Sequence, residues 1–208
     1  MIKLITLITK FIIAALMALL FSSCVHSTIH FGDGIKGSGN ITTKTRAANQ
    51  DFKRIEVSHG IKVIVTQANN KSITVEADDN IQQHIITKIE NGLLKIEADE
   101  SYNATETPVV RVQLPVINGL RTDSGSEITS AGVLITENIN VKSSSGSEIN
   151  IEIEADAIKI ESESGSNTSV YPIVKLEAKA SSGSSINYHK VPKTLSKEEN
   201  SGGSVSGE

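Results

Sequence analysis

The second half of the chain repeats one short segment at nearly constant spacing. Ser124-Gly125-Ser126-Glu127-Ile128 returns unchanged as Ser145-Gly146-Ser147-Glu148-Ile149. More divergent copies follow around Gly165, Gly183 and Gly202, so that successive glycines are 21, 19, 18 and 19 residues apart. A fixed period near 20 residues is typical of proteins in which each repeat forms one rung, stacked on the previous rung.

Apolar residues keep register with these glycines. The position three residues after the glycine is occupied in turn by Ile128, Ile149, Thr168, Ile186 and Val205. Pairs spaced i, i+2 precede the next glycine: Ile139 and Val141, Ile158 and Ile160, Leu176 and Ala178. Such spacing puts both members of a pair on one face of a strand. The dense β-branched residues and the strict alternation favour strands over helices.

A glycine at each corner permits a positive φ without a Cβ clash, and flanking serines can bond the turn backbone. We therefore predict a β-solenoid of about 20 residues per rung, with a structural turn ladder at Gly125, Gly146, Gly165, Gly183 and Gly202.

Composition restricts the function classes. The 208 residues suffice for one domain or two small ones, with 38% hydrophobic residues, 3% aromatic residues and no Trp. The formal charge is −4, and the chain holds four arginines: Arg46, Arg54, Arg111 and Arg121. This acidic balance lacks the basic footprint of a nucleic-acid-binding protein.

Residues 1–24 have the pattern of a lipoprotein signal peptide. Lys3 and Lys10 supply positive charge, and the apolar run from Phe11 to Phe21 is too short to span a bilayer. Ser22-Ser23-Cys24 ends the run with small residues before the only cysteine. This arrangement resembles a bacterial lipobox and predicts lipidation of Cys24. The body would then be membrane-anchored outside the cytoplasm, and the sequence leaves open which membrane and which face.

Residues 25–50 are rich in Gly, Ser and Thr and predict a tether that leads into a first short strand, Asn40 to Lys44. His26 and His30 lie four residues apart without further ligands, which favours a solvated tether over a metal site.

Residues 51–114 predict a β-rich N-terminal half, stacked on or continuous with the repeat half, 115–208. Its predicted strands are Phe52–Val57, Ile61–Thr66, Ser72–Ala77, Ile85–Glu90, Leu93–Ala98 and Val109–Leu114. Asn91-Gly92 predicts a type I′ hairpin. Asp78-Asp79-Asn80 has the character of a turn. In the last repeat Lys197 takes a previously apolar position, as expected of a terminal repeat that caps an open core.

The sequence predicts no catalytic residue, no metal site and no cofactor. His59, His84 and His189 are far apart, and the serines occupy regular turn positions without a Gly-x-Ser-x-Gly elbow. If the rungs stack in register, Glu127 and Glu148 lie about 4.8 Å apart by strand spacing. A solvated carboxylate ladder is favoured there over a bridging calcium ion, which the sequence leaves open.

Three features together resemble the auto-transporter adhesin "head GIN" domain family of bacterial envelope proteins. They are Phe52-x-x-Ile55-x-Val57 with Val63-x-Val65-x-Gln67, then Asn91-Gly92-Leu93-Leu94-x-Ile96, and then the Ser-Gly-Ser segments that end at Ser201-Gly202-Gly203-Ser204. The resemblance covers about residues 50 to 208. It implies a right-handed β-solenoid and an adhesin role, and it brings no established catalytic residues.

Two functions follow as hypotheses. The first is a non-catalytic cell-envelope lipoprotein, an adhesin or scaffold that presents its β-solenoid surface to an envelope or surface protein or a glycan. The alternative is a polysaccharide-active lyase or glycosidase, for which Arg121 and Asp123, near Glu127 and Glu148, are the closest approach to a catalytic set.

Overall fold

The computed structural model describes residues 34–172 and 174–207, and these residues form an all-β fold. Cys24 and the rest of the predicted signal peptide lie outside the described residues. The strands in chain order are β1 Ile35–Lys36, β2 Ile41–Arg46, β3 Arg54–Val57, β4 Lys62–Gln67, β5 Ser72–Asp78, β6 Ile85–Glu90, β7 Leu93–Ala98, β8 Tyr102–Asn103, β9 Val109–Leu114, β10 Gly119–Thr122, β11 Glu127–Ser130, β12 Leu134–Ser143, β13 Glu148–Asn150, β14 Ile153–Ser162, β15 Asn167–Val170, β16 Lys175–Ser181, β17 Ser185–Tyr188, β18 Thr194–Asn200 and β19 Ser204–Gly207.

Two large sheets account for most of these strands. The eight-stranded sheet has the order β18-β16-β14-β12-β10-β3-β7-β6, and the nine-stranded sheet has the order β19-β17-β15-β13-β11-β4-β9-β5-β2. Strands β1 and β8 form a separate parallel pair. From β10 onward, successive strands of the chain alternate between the two large sheets, so each Ser-Gly-Ser segment links a strand of the eight-stranded sheet to one of the nine-stranded sheet.

Parallel pairing brings equivalent residues of successive segments side by side. Ile128 pairs in register with Ile149, and Val141 pairs with Ile160, in the nine-stranded and eight-stranded sheets respectively. These four residues are fully buried, whereas Lys159, which directly precedes Ile160 on β14, is exposed. The predicted alternation of inward apolar and outward polar residues is therefore confirmed for these strands.

Each corner between the two sheets is a tight turn in which two consecutive residues have positive φ. The glycines of the predicted ladder have φ between 67° and 79°, and the serine before each glycine has φ between 49° and 55°. Two successive positive φ values are the signature of a type I′ turn. The turn is closed by a hydrogen bond such as that from the Ser147 amide to the Ser144 carbonyl, at 3.2 Å.

The corners are joined to one another by backbone hydrogen bonds. The amide of Gly125 donates to the carbonyl of Ser145, and the amide of Gly146 donates to the carbonyl of Ser164, at 3.1 and 3.0 Å. The same bond joins Gly165 to Ser182 and Gly183 to Ser201. Each corner therefore fixes the position of the next, and a change at an interior corner affects two neighbours.

The N-terminal half continues the same arrangement. Strands β3 and β4 pair in parallel with β10 and β11, and the corner between them, His59-Gly60, also has two positive φ values. Its Gly60 amide donates to the Ser124 carbonyl at 3.0 Å. The hairpin predicted at Asn91-Gly92 is confirmed, because β6 and β7 are antiparallel and both turn residues have positive φ.

The final strand of the eight-stranded sheet is polar, as expected for a terminal segment. In β18, Lys197 pairs with the buried Ala178 of β16 but is itself exposed. Its ammonium group donates to the Val205 carbonyl at 2.9 Å and lies 4.9 Å from the centre of the Tyr188 ring. Charged side chains at this end cover the core and discourage pairing with another chain.

Part of the range 25–50, for which the sequence predicts a tether, is held in the fold. β2 pairs along its whole length with β5, and the loop before it contacts Asp78. Asp78 is fully buried rather than solvated at a turn, and its carboxylate accepts hydrogen bonds from the amides of Gly39 and Thr105, at 2.7 and 2.9 Å. A Cβ at Gly37 would lie 2.5 Å from this carboxylate, so only glycine fits there.

Burial pushes the pKa of the Asp78 carboxyl upward, but the hydrogen bonds from Thr105 and Gly39 outweigh burial and hold the pKa below its ordinary value of 3.8. Because the unfolded chain binds a proton more readily than the folded chain, this group stabilises the fold above its unfolded pKa. The contribution is lost as pH falls below 3.8 and through the folded pKa.

We expect Asp78→Asn to lower stability at neutral pH, because an amide nitrogen cannot accept the second backbone hydrogen bond. The variant should also lose less stability than the wild type between about pH 5 and pH 2. Denaturant unfolding at a series of pH values measures both effects, with Asp156→Asn, an exposed aspartate on β14, as the control. A wild-type pH profile in Asp78→Asn would contradict this account.

The corners give a second prediction. A Cβ at Gly146 would meet no atom within 4 Å, so Gly146→Val should be destabilising through its φ of 69° alone. Strain of this kind costs on the order of 1–3 kcal/mol for a β-branched residue. Gly146→Asn, which tolerates positive φ, should cost less, and Gly202→Val at the end of the ladder should also cost less. Thermal melts would measure the three shifts, and equal shifts would exclude the backbone explanation.

Candidate functional site

The second serine of each Ser-Gly-Ser segment points into the core. Ser126, Ser147, Ser166 and Ser184 are all buried, and the last three accept a hydrogen bond on Oγ from the backbone amide three residues earlier, at 3.0–3.1 Å. These hydroxyls satisfy backbone donors that the corner would otherwise leave buried without a partner. The prediction that turn serines have a backbone role is thereby confirmed for these three.

Further hydroxyls join these serines in a buried network. Ser143 Oγ lies 2.7 Å from Ser162 Oγ, 3.0 Å from Ser166 Oγ and 2.8 Å from Thr168 Oγ1. Ser147 Oγ donates to Thr122 Oγ1 at 2.8 Å. A catalytic serine needs access to substrate and an adjacent base, whereas these hydroxyls are enclosed and bonded to one another. Their role is to pair polar groups inside the core.

The histidines contact nearby polar groups. His59 Nδ1 lies 2.9 Å from Ser58 Oγ, and His84 Nδ1 lies 2.9 Å from Asp99 Oδ1. His189 Nε2 lies 2.7 Å from Ser169 Oγ, and its ring stacks on Tyr171 with centroids 4.5 Å apart. Sequence reasoning missed this serine–histidine contact. The 20-residue offset between Ser169 and His189, about one repeat, is the signal that could have found it.

The two glutamates discussed from the sequence lie on neighbouring strands, and one of them forms an ion pair. Glu127 and Glu148 are register partners on the nine-stranded sheet, as predicted for stacked segments. Glu127 is also the register partner of Lys62, whose ammonium group lies 2.8 Å from the Glu127 carboxylate. Within residues 34–172 and 174–207, no group of three or more His, Cys, Asp or Glu side chains is arranged to hold a metal ion.

The set considered for a polysaccharide-active enzyme is divided between structural elements. Asp123 belongs to a corner, where a hydrogen bond from Ser145, with others from Ser124 and Ser144, holds the pKa of its carboxyl below its ordinary value despite partial burial. Arg121 lies on the exposed face of the eight-stranded sheet, whereas Glu127 and Glu148 lie on the nine-stranded sheet. Arg121 is therefore not on the sheet that carries the neighbouring pair Glu127 and Glu148, and the Asp123 carboxyl is engaged by the serines of its corner.

The exposed face of the eight-stranded sheet carries a ladder of charged residues, one from each neighbouring strand. The register partners in order are Lys95, Glu56, Arg121, Lys142, Glu161, Lys179 and Glu198. The charges alternate in sign except where Arg121 lies beside Lys142. Ion pairs connect part of the ladder, including Lys142 with Glu161 at 2.5 Å and Lys179 with Glu198 at 2.9 Å.

A cavity of about 430 Å³ lies on this face where β3, β10, β12 and β14 run side by side. Its lining includes the cationic side chains of Arg54, Arg121, Lys142 and Lys159. Sequence reasoning did not identify this group, because the four residues come from four separate strands.

A second surface feature is the edge at which the chain returns from the nine-stranded to the eight-stranded sheet. The exposed large apolar side chains here are Val116, Val133, Ile135, Tyr171 and Val191. An open groove of about 790 Å³ lies beside Val116 and Ile135, with Glu137, Glu154 and Asp156 among its lining residues. Within the described part of the chain, no helix has the length and apolar character needed to cross a membrane.

Two solved structures of bacterial proteins align with most of this chain. A crystal structure of a "putative adhesin" from Bacteroides fragilis aligns over 84% of this chain and 100% of its own, with 15% identity and a TM-score of 0.59. A "putative adhesin" from Parabacteroides merdae aligns over 84% of this chain and 98% of its own, with 12% identity and a TM-score of 0.51. At these identities the likeness shows the fold alone.

Among curated proteins, none matches this chain in sequence. A family model does match: the family described as "Putative auto-transporter adhesin, head GIN domain" covers residues 51–187, from before β3 to the end of β17. The matched range includes the Asn91-Gly92 hairpin and four of the five Ser-Gly-Ser corners. The chain belongs to the auto-transporter adhesin head GIN domain family.

Proposed function

We propose that this protein is a non-catalytic lipoprotein of the bacterial cell envelope that acts as an adhesin or scaffold. The observation that carries the proposal is the pair of extended sheets, whose outward side chains stand in register columns from strand to strand. Such a surface presents the same spacing many times over, which suits contact with another large molecule. The family's description and the fold of the solved adhesins support this role.

The contacts of the candidate catalytic residues favour a binding role over a catalytic one. The buried corner serines are bonded into the core, Asp123 accepts hydrogen bonds from the serines of its corner, and Glu127 forms an ion pair with Lys62. An enzyme that cleaves a polysaccharide needs convergent acid and base groups in one cleft. The described residues supply ordered, exposed surface instead.

The proposed architecture is a right-handed β-solenoid with rungs of about 20 residues. Its support is the parallel register between residues one segment apart, for example Val141 with Ile160, and the repeated positive-φ corners. Right-handedness follows the strong general preference for right-handed connections between parallel strands of one sheet. In this arrangement the exposed columns run along the length of the solenoid.

We place the body outside the cytoplasm, anchored to a membrane through a lipid on Cys24. The support is the sequence of the first 24 residues and the adhesin character of the family. Inserted acyl chains hold a protein at a membrane without a spanning helix.

Two readouts on the full-length protein, expressed in a bacterial host, test this function. Wild type should remain in the membrane fraction after a salt wash, and globomycin should cause its precursor to accumulate. Cys24→Ala should become soluble, whereas the neighbouring control Ser27→Ala should stay membrane-bound. Cys24→Ala that resists the salt wash would contradict the anchor.

For adhesion, beads carrying the full-length protein should retain envelope material or whole bacterial cells at physiological salt. Beads carrying an unrelated protein of equal net charge are the control. Beads carrying Cys24→Ala should adhere as well as the wild type, because the proposed contact surface lies in the β body. Retention equal to that of the control beads would contradict an adhesin role.

A further inference from the structure

The cavity on the eight-stranded sheet lies among the outward side chains around Gly119 and Asn140. Gly119 has no side chain, and its register neighbour across to β12 is Asn140. Along the same column, Arg54 precedes Gly119 and Lys159 follows Asn140. In the adjacent outward column, two residues further along their strands, Arg121 lies beside Gly119 and Lys142 lies beside Asn140. The cavity is therefore bordered by two cations along the column and two in the adjacent column.

Gly119 lets the stem of Arg54 lie close to the sheet. Gly119 is buried, and a Cβ there would lie 3.0 Å from Cγ of Arg54, so a larger residue would push the arginine stem outward. Arg54 donates a hydrogen bond from Nη2 to the carbonyl of Asn91, in the turn before β7, at 2.7 Å. Its guanidinium is thus held at the side of the cavity nearest β7.

The cations are not fully neutralised within the cavity. Two carboxylates, Glu56 and Glu161, line it against four cationic side chains, which leaves a local charge of +2 in a chain whose formal charge is −4. Glu161 is shared, because Lys142 and Lys159 lie 2.5 and 3.2 Å from its two oxygens, and Lys159 also lies 3.9 Å from the carboxylate of Glu177 beyond the cavity lining.

Arg121 is the least engaged of the four cations. It is exposed, and within residues 34–172 and 174–207 its guanidinium group forms no hydrogen bond or ion pair. Its register neighbours are Glu56 and Lys142, so on one side it lies against another cation. A guanidinium has five N–H donors in a planar fork that matches the two oxygens of a carboxylate.

We propose that this cavity binds carboxylate groups of an acidic polysaccharide, with Arg121 as the principal contact. The inference rests on the proposed adhesin function and names its partner class. The cavity is open to solvent along the sheet, so a polymer can lie across successive strands. The amides of Asn118 and Asn140 at its lining suit the hydroxyl groups of sugar rings. Repeated carboxylates spaced along the polymer match cations contributed by four neighbouring strands.

Titration calorimetry on the full-length protein in mild detergent tests the proposal. The probe is an oligogalacturonate of defined length, and its fully methyl-esterified form is the neutral control. The acidic form should bind, and its affinity should fall as ionic strength rises, because exposed charges are screened by salt. The esterified form should bind at least about tenfold more weakly, because its neutral ester groups cannot form ion pairs with the cationic side chains.

Variants locate the binding at the cavity. Arg121→Gln should weaken binding of the acidic oligosaccharide by about tenfold, and Arg121→Lys should give an intermediate loss because it keeps the charge but not the fork. Arg111→Gln removes the same charge from the other large sheet, where Arg111 pairs loosely with Glu76 at 3.8 Å, and should leave affinity unchanged. Because Arg121 has no partner in the described fold, Arg121→Gln should also keep the wild-type melting temperature.

Four results of the oligosaccharide titrations would overturn the inference. They are no binding of the acidic oligosaccharide, equal binding of both oligosaccharides, equal affinity of Arg121→Gln and wild type, or a loss of affinity in Arg111→Gln as large as that in Arg121→Gln.

Binding to vesicles of phosphatidylglycerol and of phosphatidylcholine is measured separately. Arg121-dependent binding to the anionic vesicles without binding to the oligosaccharide would assign the cavity to a lipid phosphate and would also overturn the inference. Bead adhesion without oligosaccharide binding would reject the inference alone, whereas oligosaccharide binding without bead adhesion would reject the adhesin function.

Discussion

The structure depends on the backbone hydrogen bond that joins one corner to the next. Gly125 donates to Ser145, and Gly146 donates to Ser164, so the amide after each positive-φ serine is used to align the following segment. This bond forms only if the corner keeps two consecutive positive φ values, which are unfavourable for most side chains. The residues that allow positive φ at the corners therefore also help to set the register of the two sheets. It also explains why hydroxyls are buried here, since Ser147 and Ser166 satisfy the backbone amides at the inner side of their corners.

A stack of parallel strands has two ends, and each end is closed differently. At the N-terminal end, β2 and β5 add antiparallel strands to one sheet and β6 to the other. The hydroxyl of Tyr102 donates to the carbonyl of His59 at the first corner, and burial raises the pKa of Tyr102 to about 12. At the C-terminal end, Lys197 and Glu199 bond the backbone of Val205 with their charged groups. The charged groups at the C-terminal end disfavour pairing with a further strand.

Family membership and low identity are compatible for a physical reason. Two kinds of residue determine the fold. One is the pair that accepts positive φ at each corner, and the other is the set of aliphatic residues at alternate positions of each strand. The outward positions are free of these constraints, so structures with 12–15% identity can share the fold. Outward residues such as Arg121, and local departures from regularity such as Gly119, can therefore differ between structures that share the fold.

The sequence by itself determined the all-β class, the period of about 20 residues, the inward residues and the hairpin at Asn91-Gly92. These features depend on local rules: alternation sets the face of a side chain, and glycine with a neighbouring small polar residue sets the turn. It also identified the family through the same motifs. The sequence did not reveal the burial of Asp78, the contact of Ser169 with His189, or the grouping of Arg54, Arg121, Lys142 and Lys159. Each depends on which strand lies next to which, and residues far apart in the chain meet only once the register of the sheets is set.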